Sequence, residues 1–111
     1  MMSEKISDEQ FAELEAKHGE IVEVNTVLGP CIFKRPARAD YQRYLSYLFD
    51  EKKRASAQEI LVRSCVVSPS KETFGQMLDV APGIAVTCSG PCLELAGQSG
   101  EPEVARRSRK D

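Results

Sequence analysis

Residues 31–47 read CIFKRPARADYQRYLSY, and within this stretch the hydrophobic pattern changes from that of a strand to that of a helix. Residues 31–34 form a short, mostly apolar segment, and Pro36 ends it because proline cannot donate a hydrogen bond to a β-ladder. From Arg38 onward the apolar residues recur at helical spacing. We therefore predict a strand that leads through a proline into an amphipathic helix over residues 38–50. The apolar face of that helix consists of Tyr41, Tyr44, Leu45 and Leu48.

A polar helix is predicted near the N-terminus, over residues 7–18. Ser7 and Gln10 have the spacing of a capping box, in which each side chain bonds a backbone N–H of the other residue. Gly19 follows the last helical residue, where glycine commonly ends a helix. The apolar stripe is thin, and a helix this short is marginally stable alone. We expect it to dock loosely or to fold on a partner.

A β-hairpin is predicted over residues 20–35. Residues 20–28 alternate between apolar and polar side chains, which is the pattern of a half-buried strand. Gly29 and Pro30 are typical turn residues, so we expect the chain to reverse there and pair with residues 31–34. A two-stranded hairpin is marginal by itself and must pack on helices or on another subunit. The side chains expected on its buried face are Val22, Val24 and Leu28.

The rest of the chain predicts further helices. Ser56 and Glu59 have capping-box spacing, and Ser68 or Ser70 can cap the helix after it. Pro91 predicts a kink in the last helix, or its division into two short helices. The predicted helices cover residues 7–18, 38–50, 56–67, 70–80 and 83–96.

These elements predict a mainly α fold: a small domain of four to five helices with one short β-hairpin near the N-terminus. We expect residues 1–97 to form this single domain. Residues 98–111 are polar and aperiodic, which predicts a disordered C-terminal tail.

Composition indicates the cellular setting. The net charge is -2 and the sequence pI is about 5.5, unlike the strongly basic domains that bind nucleic acid. Apolar runs are far shorter than the roughly 20 residues of a membrane span, and the first residues lack the layout of a secretory signal. We therefore expect a cytoplasmic protein with no membrane association, whose four cysteines are free thiols.

Neither catalysis nor a bound metal is expected. Cys88 and Cys92 could share one face of a helix, but structural zinc needs four ligands, and the remaining candidates are the distant Cys31 and Cys65 and the lone His18. His18 lies at the end of a polar helix, which is a poor position for an oriented base. We predict buried thiols, no cofactor and no enzymatic activity.

Basic residues cluster beside the proline of the opening stretch, at Lys34, Arg35 and Arg38. They could contact phosphate or an acidic segment of a partner, although charge clusters of this kind are usually solvated. A small regulatory protein that contacts nucleic acid through residues 34–38 is therefore the alternative function. Tyr47 is open between core packing and an interface, because Tyr and Arg are enriched at interfaces.

The order of short segments along the chain resembles phage tail assembly chaperones, which occur in tailed-phage and prophage morphogenesis. The resemblance extends from about Phe11 to Gly97. The segments, in order, are FAELEAKHG, FKRPARADYQRYL, ILVRSCVVSPS, APGIA and LELAG.

This resemblance implies a non-enzymatic, mostly helical protein of the host cytoplasm that is absent from the mature virion. It would bind the tape measure protein, with the tail tube protein as a second partner, and it would form homo-oligomers. The residues predicted to contact the partner are Arg35, Arg38, Tyr47 and Phe49. The resemblance does not identify the client or the oligomeric state, and it does not show whether a longer frameshifted product exists.

Overall fold

The computed structural model describes residues 4–98, in which five α-helices accompany a three-stranded antiparallel sheet of order β1-β2-β3. A short 3-10 turn at Arg54–Ser56 precedes the third helix. The result is a small α+β domain of mainly helical content. The elements are α1 Asp8–His18, β1 Ile21–Thr26, β2 Gly29–Lys34, α2 Arg38–Leu48, α3 Ala57–Cys65, β3 Val66–Ser68, α4 Lys71–Val80 and α5 Ile84–Leu95.

The third strand corrects the prediction that residues 56–67 are all helical. Helix α3 ends at Cys65, and the chain then pairs with β2 as β3, with Val66 opposite Phe33. Val66 and Val67 are β-branched, and Pro69 disfavours helical geometry in the residue before it. Together these residues favour extended backbone, so the helix stops one residue before the valines.

The hairpin is confirmed, but its predicted turn is wrong. The chain reverses at Val27 and Leu28, and Gly29 already belongs to β2, opposite Thr26. The hydroxyl of Thr26 accepts a hydrogen bond from the Leu28 N–H at 3.1 Å and donates one to the Gly29 carbonyl at 2.7 Å. These two bonds close the turn, and Gly29 follows it with φ 122°. Because that φ is unfavourable for residues with a Cβ, the glycine is needed just after the turn rather than within it.

One face of the sheet packs against the helices and forms the core. Phe33 of β2 meets Phe74 of α4 in an edge-to-face contact, with ring centroids 5.7 Å apart and planes at 81°. The predicted apolar faces are confirmed in the hairpin and in α2, where Tyr44 is buried. The side chains that are fully excluded from solvent in this core include Cys31, Phe33, Leu61, Val62, Cys65, Phe74, Met77, Cys88 and Cys92.

The opposite face of the sheet has its own buried apolar residues. Ile21 and Ile32 are buried but lie outside the core cluster, because they alternate along their strands with the core-facing residues Val22 and Phe33. Helix α1 contacts β1 and borders a groove with β3 on this side. The sheet therefore separates the main core from a thinner layer beneath α1.

The helix ends test the predicted caps. Ser7 and Gln10 form the predicted capping box of α1, and Gly19 ends that helix with φ 83°. Ser70 caps α4 by accepting the Thr73 N–H. The cap predicted at Ser56 is wrong: this residue already has helical backbone angles at the end of the 3-10 turn, so its hydroxyl makes no capping bond.

Helix α5 runs unbroken from Ile84–Leu95 with Pro91 inside it, so the alternative of two short helices is wrong. Proline removes one hydrogen bond, the bond to the carbonyl of Thr87, and Thr87 is exposed. Gly97 follows the helix with φ 92°, as expected for a glycine that ends a helix.

Beyond Gln98, the predicted disordered tail lies outside the described residues. Within residues 4–98, no helix has the length and apolar character needed to cross a membrane.

Candidate protein-binding surface

The basic cluster lies where β2 leads into α2. Arg35 follows β2, and its guanidinium forms an ion pair with the carboxylate of Glu20, just before β1. Both side chains are more than half exposed, so the pair contributes little to stability. Lys34 is half-buried at the end of its strand, and Arg38 is exposed as the first residue of α2. Of these three basic residues, Arg38 is therefore the one that is exposed and forms no ion pair with another described residue.

An aromatic pair lies at the other end of α2. Tyr47 is partly buried and packs against the core, and the ammonium of Lys53 lies 5.2 Å from the centroid of its ring. Phe49 follows the helix as its C-terminal cap and is 77% exposed. The Nε of Arg54 donates to the Leu48 carbonyl at 3.0 Å and holds the following segment against this end of the helix. This end of α2 thus carries an exposed aromatic residue, and two cationic side chains pack on the neighbouring residues Tyr47 and Leu48.

The four residues predicted to contact a partner do not form one site. Arg35 and Arg38 lie at the start of α2, whereas Tyr47 and Phe49 lie at its end. At about 1.5 Å of rise per residue, Arg38 and Tyr47 are about 14 Å apart along the helix axis. A partner would have to extend along α2 to touch all four, and the involvement of each residue in binding stays a prediction.

Three valines also expose most of their surface. Val27 forms the tip of the hairpin, Val80 ends α4, and Val86 lies in the first turn of α5. None of them matches the size or apolar area of Phe49, and single exposed valines are common on soluble proteins. Phe49 is therefore the exposed side chain that most clearly suggests a contact.

A groove of about 370 Å³ lies between α1 and β3, and sequence reasoning did not predict it. Its apolar lining comes from Ile6, Leu14 and Val67, which are each partly buried. The α1 residues that line it, Gln10, Glu13, Leu14 and Lys17, recur one helical turn apart, so their common face can be read from the sequence. The strand that they face, β3, was predicted to be helical. The complete lining is Ile6, Gln10, Glu13, Leu14, Lys17, Val67 and Ser68.

The four cysteines are free and buried in the core, as predicted. Burial raises the pKa of Cys31 to about 11 and that of Cys88 to about 12. Cys92 hydrogen-bonds with Cys65 across the α3–α5 contact, and this bond together with burial raises the pKa of Cys92 well above its usual range. Because the thiolate is the nucleophile and the metal ligand, the raised pKa values make Cys31, Cys88 and Cys92 poorly suited to either role.

No group of three or more His, Cys, Asp or Glu residues within 4–98 is arranged to hold a metal ion. His18 lies at the C-terminal end of α1, on the outer side of the sheet, whereas the thiols lie in the core. The structure therefore does not bring the histidine and the cysteines together.

Comparison with known proteins supplies the family. The model of the DUF6848 family, described as a domain of unknown function, matches residues 14–104. The chain belongs to this family. The solved structure of the uncharacterised protein rbstp2171 from Bacillus stearothermophilus is similar, with a TM-score of 0.70 and 24% sequence identity. The match covers 86% of this chain and 99% of that one, and it shows a shared fold. Comparison with curated proteins found no match.

Proposed function

We propose that this DUF6848 domain is a non-enzymatic protein-binding module that acts as a phage tail assembly chaperone. It binds the tape measure protein, keeps that long chain from aggregating and aids assembly of the tail tube. The resemblance of the segments from Phe11 to Gly97 to phage tail assembly chaperones suggests this class of client. The observation that carries the protein-binding role is the exposure of Phe49, which is 77% accessible at the C-terminal end of α2.

Exposure of Phe49 leaves a large apolar side chain in water. Burial of such a side chain stabilises a complex by roughly 1.5–3 kcal/mol before the costs of association are subtracted. Aromatic side chains and arginine are enriched at protein interfaces, and residues 47–54 combine both types. This end of α2 is therefore the part of the surface best suited to cover an apolar stripe on a client helix.

The client is held reversibly through its apolar helical stripes. Phe49 and Tyr47 contact the apolar side chains, while Arg38 near the other end of α2 contacts acidic groups that flank the stripe. Arg35 joins this contact by exchanging its ion pair with Glu20 for one with the client. The protein works in the host cytoplasm as a homo-oligomer and leaves before the virion is complete. The tail tube protein is its second partner.

The structure favours protein binding over the nucleic-acid alternative. Lys34 is half-buried and Arg35 is paired with Glu20, so the basic cluster presents few free cations to a phosphate backbone. A gel-shift titration across a salt series tests this alternative, since phosphate binding must weaken steeply with salt. We expect no shift at physiological salt.

Co-expression with fragments of a tape measure protein tests the proposed function. We expect the soluble fraction of the fragment to rise when this protein is present and to fall again with Phe49→Ser. Val80→Ser is the matched control, because it also replaces an exposed apolar side chain, on a different helix. Equal insolubility of the fragment with and without this protein would contradict the proposal.

A further inference from the structure

The contact between α3 and α5 brings two thiols together. Cys65 is the last residue of α3, and Cys92 lies near the end of α5. Their side chains hydrogen-bond with each other, and both are fully excluded from solvent within the same core cluster. Two sulfurs in contact across two packed helices have the arrangement from which a disulfide can form with little movement of the backbone.

We propose that Cys65 and Cys92 form a reversible disulfide when the protein meets a peroxide, and that this bond fixes α5 to α3. The modification is independent of the client proposed above, since it concerns the core rather than the surface at the end of α2.

The hydrogen bond between the two thiols makes them chemically unequal. The Cys92 thiol donates to the Cys65 sulfur, which lowers the pKa of Cys65 and raises that of Cys92 well above its usual range. The hydroxyl oxygen of Ser64 lies 3.7 Å from the Cys65 Sγ and also lowers the pKa of Cys65, whereas burial opposes both effects. Cys65 is therefore the thiol that reacts first with an oxidant, because the thiolate is the nucleophile.

The reaction proceeds in two steps. The Cys65 thiolate attacks one oxygen of hydrogen peroxide, the O–O bond breaks, and the sulfur becomes a sulfenic acid while the departing hydroxide takes up the thiol proton as water. The Cys92 sulfur then attacks the Cys65 sulfur, the S–S bond forms, and the S–O bond breaks. The departing hydroxide takes the proton of Cys92, so two thiols and one peroxide give one disulfide and two waters.

The other two thiols of the core lack this pairing. Burial raises the pKa of Cys31 to about 11 and that of Cys88 to about 12. Within residues 4–98, neither of them hydrogen-bonds with another thiol, and the side chain that bonds Cys31 is that of Thr26. They share the burial of the proposed pair without its activation, so they are its internal control.

Helix α5 provides the route by which a small oxidant reaches the buried pair. Pro91 has no N–H, so the helix lacks one hydrogen bond in the turn just before Cys92. Local opening of this end of the helix uncovers Cys92 and its contact with Cys65 while the rest of the domain stays folded. The oxidation is therefore slower than that of an exposed thiol, and it needs no global unfolding.

Peroxide treatment of the native full chain tests the proposal. The remaining thiols are alkylated, and the protein is mapped by mass spectrometry of its peptides without reduction. We expect the mass to fall by about 2 Da, and we expect one linkage, between the peptides that contain Cys65 and Cys92, which dithiothreitol reverses. Because the bond closes a loop of about 28 residues, the oxidised protein should melt roughly 10 °C higher than the reduced protein.

Three variants serve as controls. C31A/C88A should still form the disulfide, whereas Cys65→Ala and Cys92→Ala should not. In Cys92→Ala, oxidation of Cys65 should stop at the sulfenic acid, which dimedone traps. If a variant does not fold, the peptide map of the wild type decides by itself. A wild-type protein that stays reduced, or one in which Cys31 or Cys88 is linked instead, would overturn the proposal.

Discussion

Phe33 and Phe49 are the same type of residue in opposite surroundings. Phe33 is fully buried against the ring of Phe74, whereas Phe49 is 77% exposed. We predict that Phe33→Ala lowers the free energy of unfolding by about 3–5 kcal/mol, because it leaves a cavity and removes the aromatic contact. Phe49→Ala should change it by less than about 0.5 kcal/mol. Urea denaturation measures both values.

Phe33→Leu provides a milder variant if the alanine variant does not fold. It should still cost about 1 kcal/mol, because the edge-to-face contact with Phe74 is lost. A loss of stability from Phe49→Ala as large as that from either Phe33 variant would show that Phe49 supports the fold, and it would remove the reason to assign it to an interface.

The buried thiols predict a pH dependence of stability. The pKa values of Cys31 and Cys88 are raised from 9.0 to about 11 and about 12, so the fold favours the neutral thiols. Their contribution is complete below pH 9 and is lost as the pH rises from 9 toward 11–12. Each thiol should reduce the free energy of unfolding by up to about 1.4 kcal/mol per pH unit in that range.

Urea unfolding at pH 7, 9 and 10.5 measures this loss. The variant C31A/C88A is the control, because lysines and tyrosines titrate equally in both proteins and only the two thiols differ. We expect a smaller decline above pH 9 in the variant. Parallel declines in the two proteins would contradict the assignment of these thiols to a desolvated core.

The serines at the starts of the helices differ in whether their side chains make a capping hydrogen bond. Ser70 caps α4, which buries Phe74, Met77 and Leu78, whereas Ser56 makes no capping bond at α3. We predict that Ser70→Ala costs about 1 kcal/mol of global stability and that Ser56→Ala costs less than about 0.5 kcal/mol. Thermal or urea unfolding of the two variants gives the comparison. Equal losses would show that the observed caps do not control the stability of these helices.

Helix α1 should respond differently to loss of its cap. It has the same capping bond at Ser7, but it contains no buried residue. We predict that Ser7→Ala increases amide exchange within α1 several-fold while global stability changes by less than about 0.5 kcal/mol. A global loss as large as that from Ser70→Ala would show that α1 is an integral part of the core.

The elements that could be predicted from sequence are those whose pattern repeats over several turns or residues. The apolar stripe from Tyr41 to Leu48 predicts α2, and the alternation of Val22 and Val24 predicts β1, because each pattern has a period that fits only one type of secondary structure. The end of α3 was missed because Val66 and Val67 continue an apolar run, and a run this short fits a helix and a strand equally well. What favours the strand is the pairing of Val66 with Phe33, and Phe33 lies far away in the sequence.

The candidate surface was predictable only in part, for a related reason. The sequence predicts Phe49 as a contact residue, but only the structure shows that it is exposed, just after α2 ends at Leu48. The sequence does not show the groove, because the groove requires α1 and β3 to meet across the outer face of the sheet. That contact joins segments about 50 residues apart. Local periodicity contains no information on such contacts.

At the scale of the whole molecule, the sheet divides two surfaces that can act independently. The end of α2, with Phe49, belongs to the layer of helices on the core face, whereas the groove lies on the other face beneath α1. Substitutions at one surface should therefore leave the other unaffected, since sites this well separated are usually additive.

The most direct test of the client contact is copurification of tape measure fragments with affinity-tagged protein, quantified for wild type, Phe49→Ser and Val80→Ser. The wild type and Val80→Ser should retain similar amounts of the fragment. Phe49→Ser should retain about tenfold less, which corresponds to about 1.4 kcal/mol of lost apolar burial. Retention of no fragment by the wild type, or equal retention by all three proteins, would contradict the account.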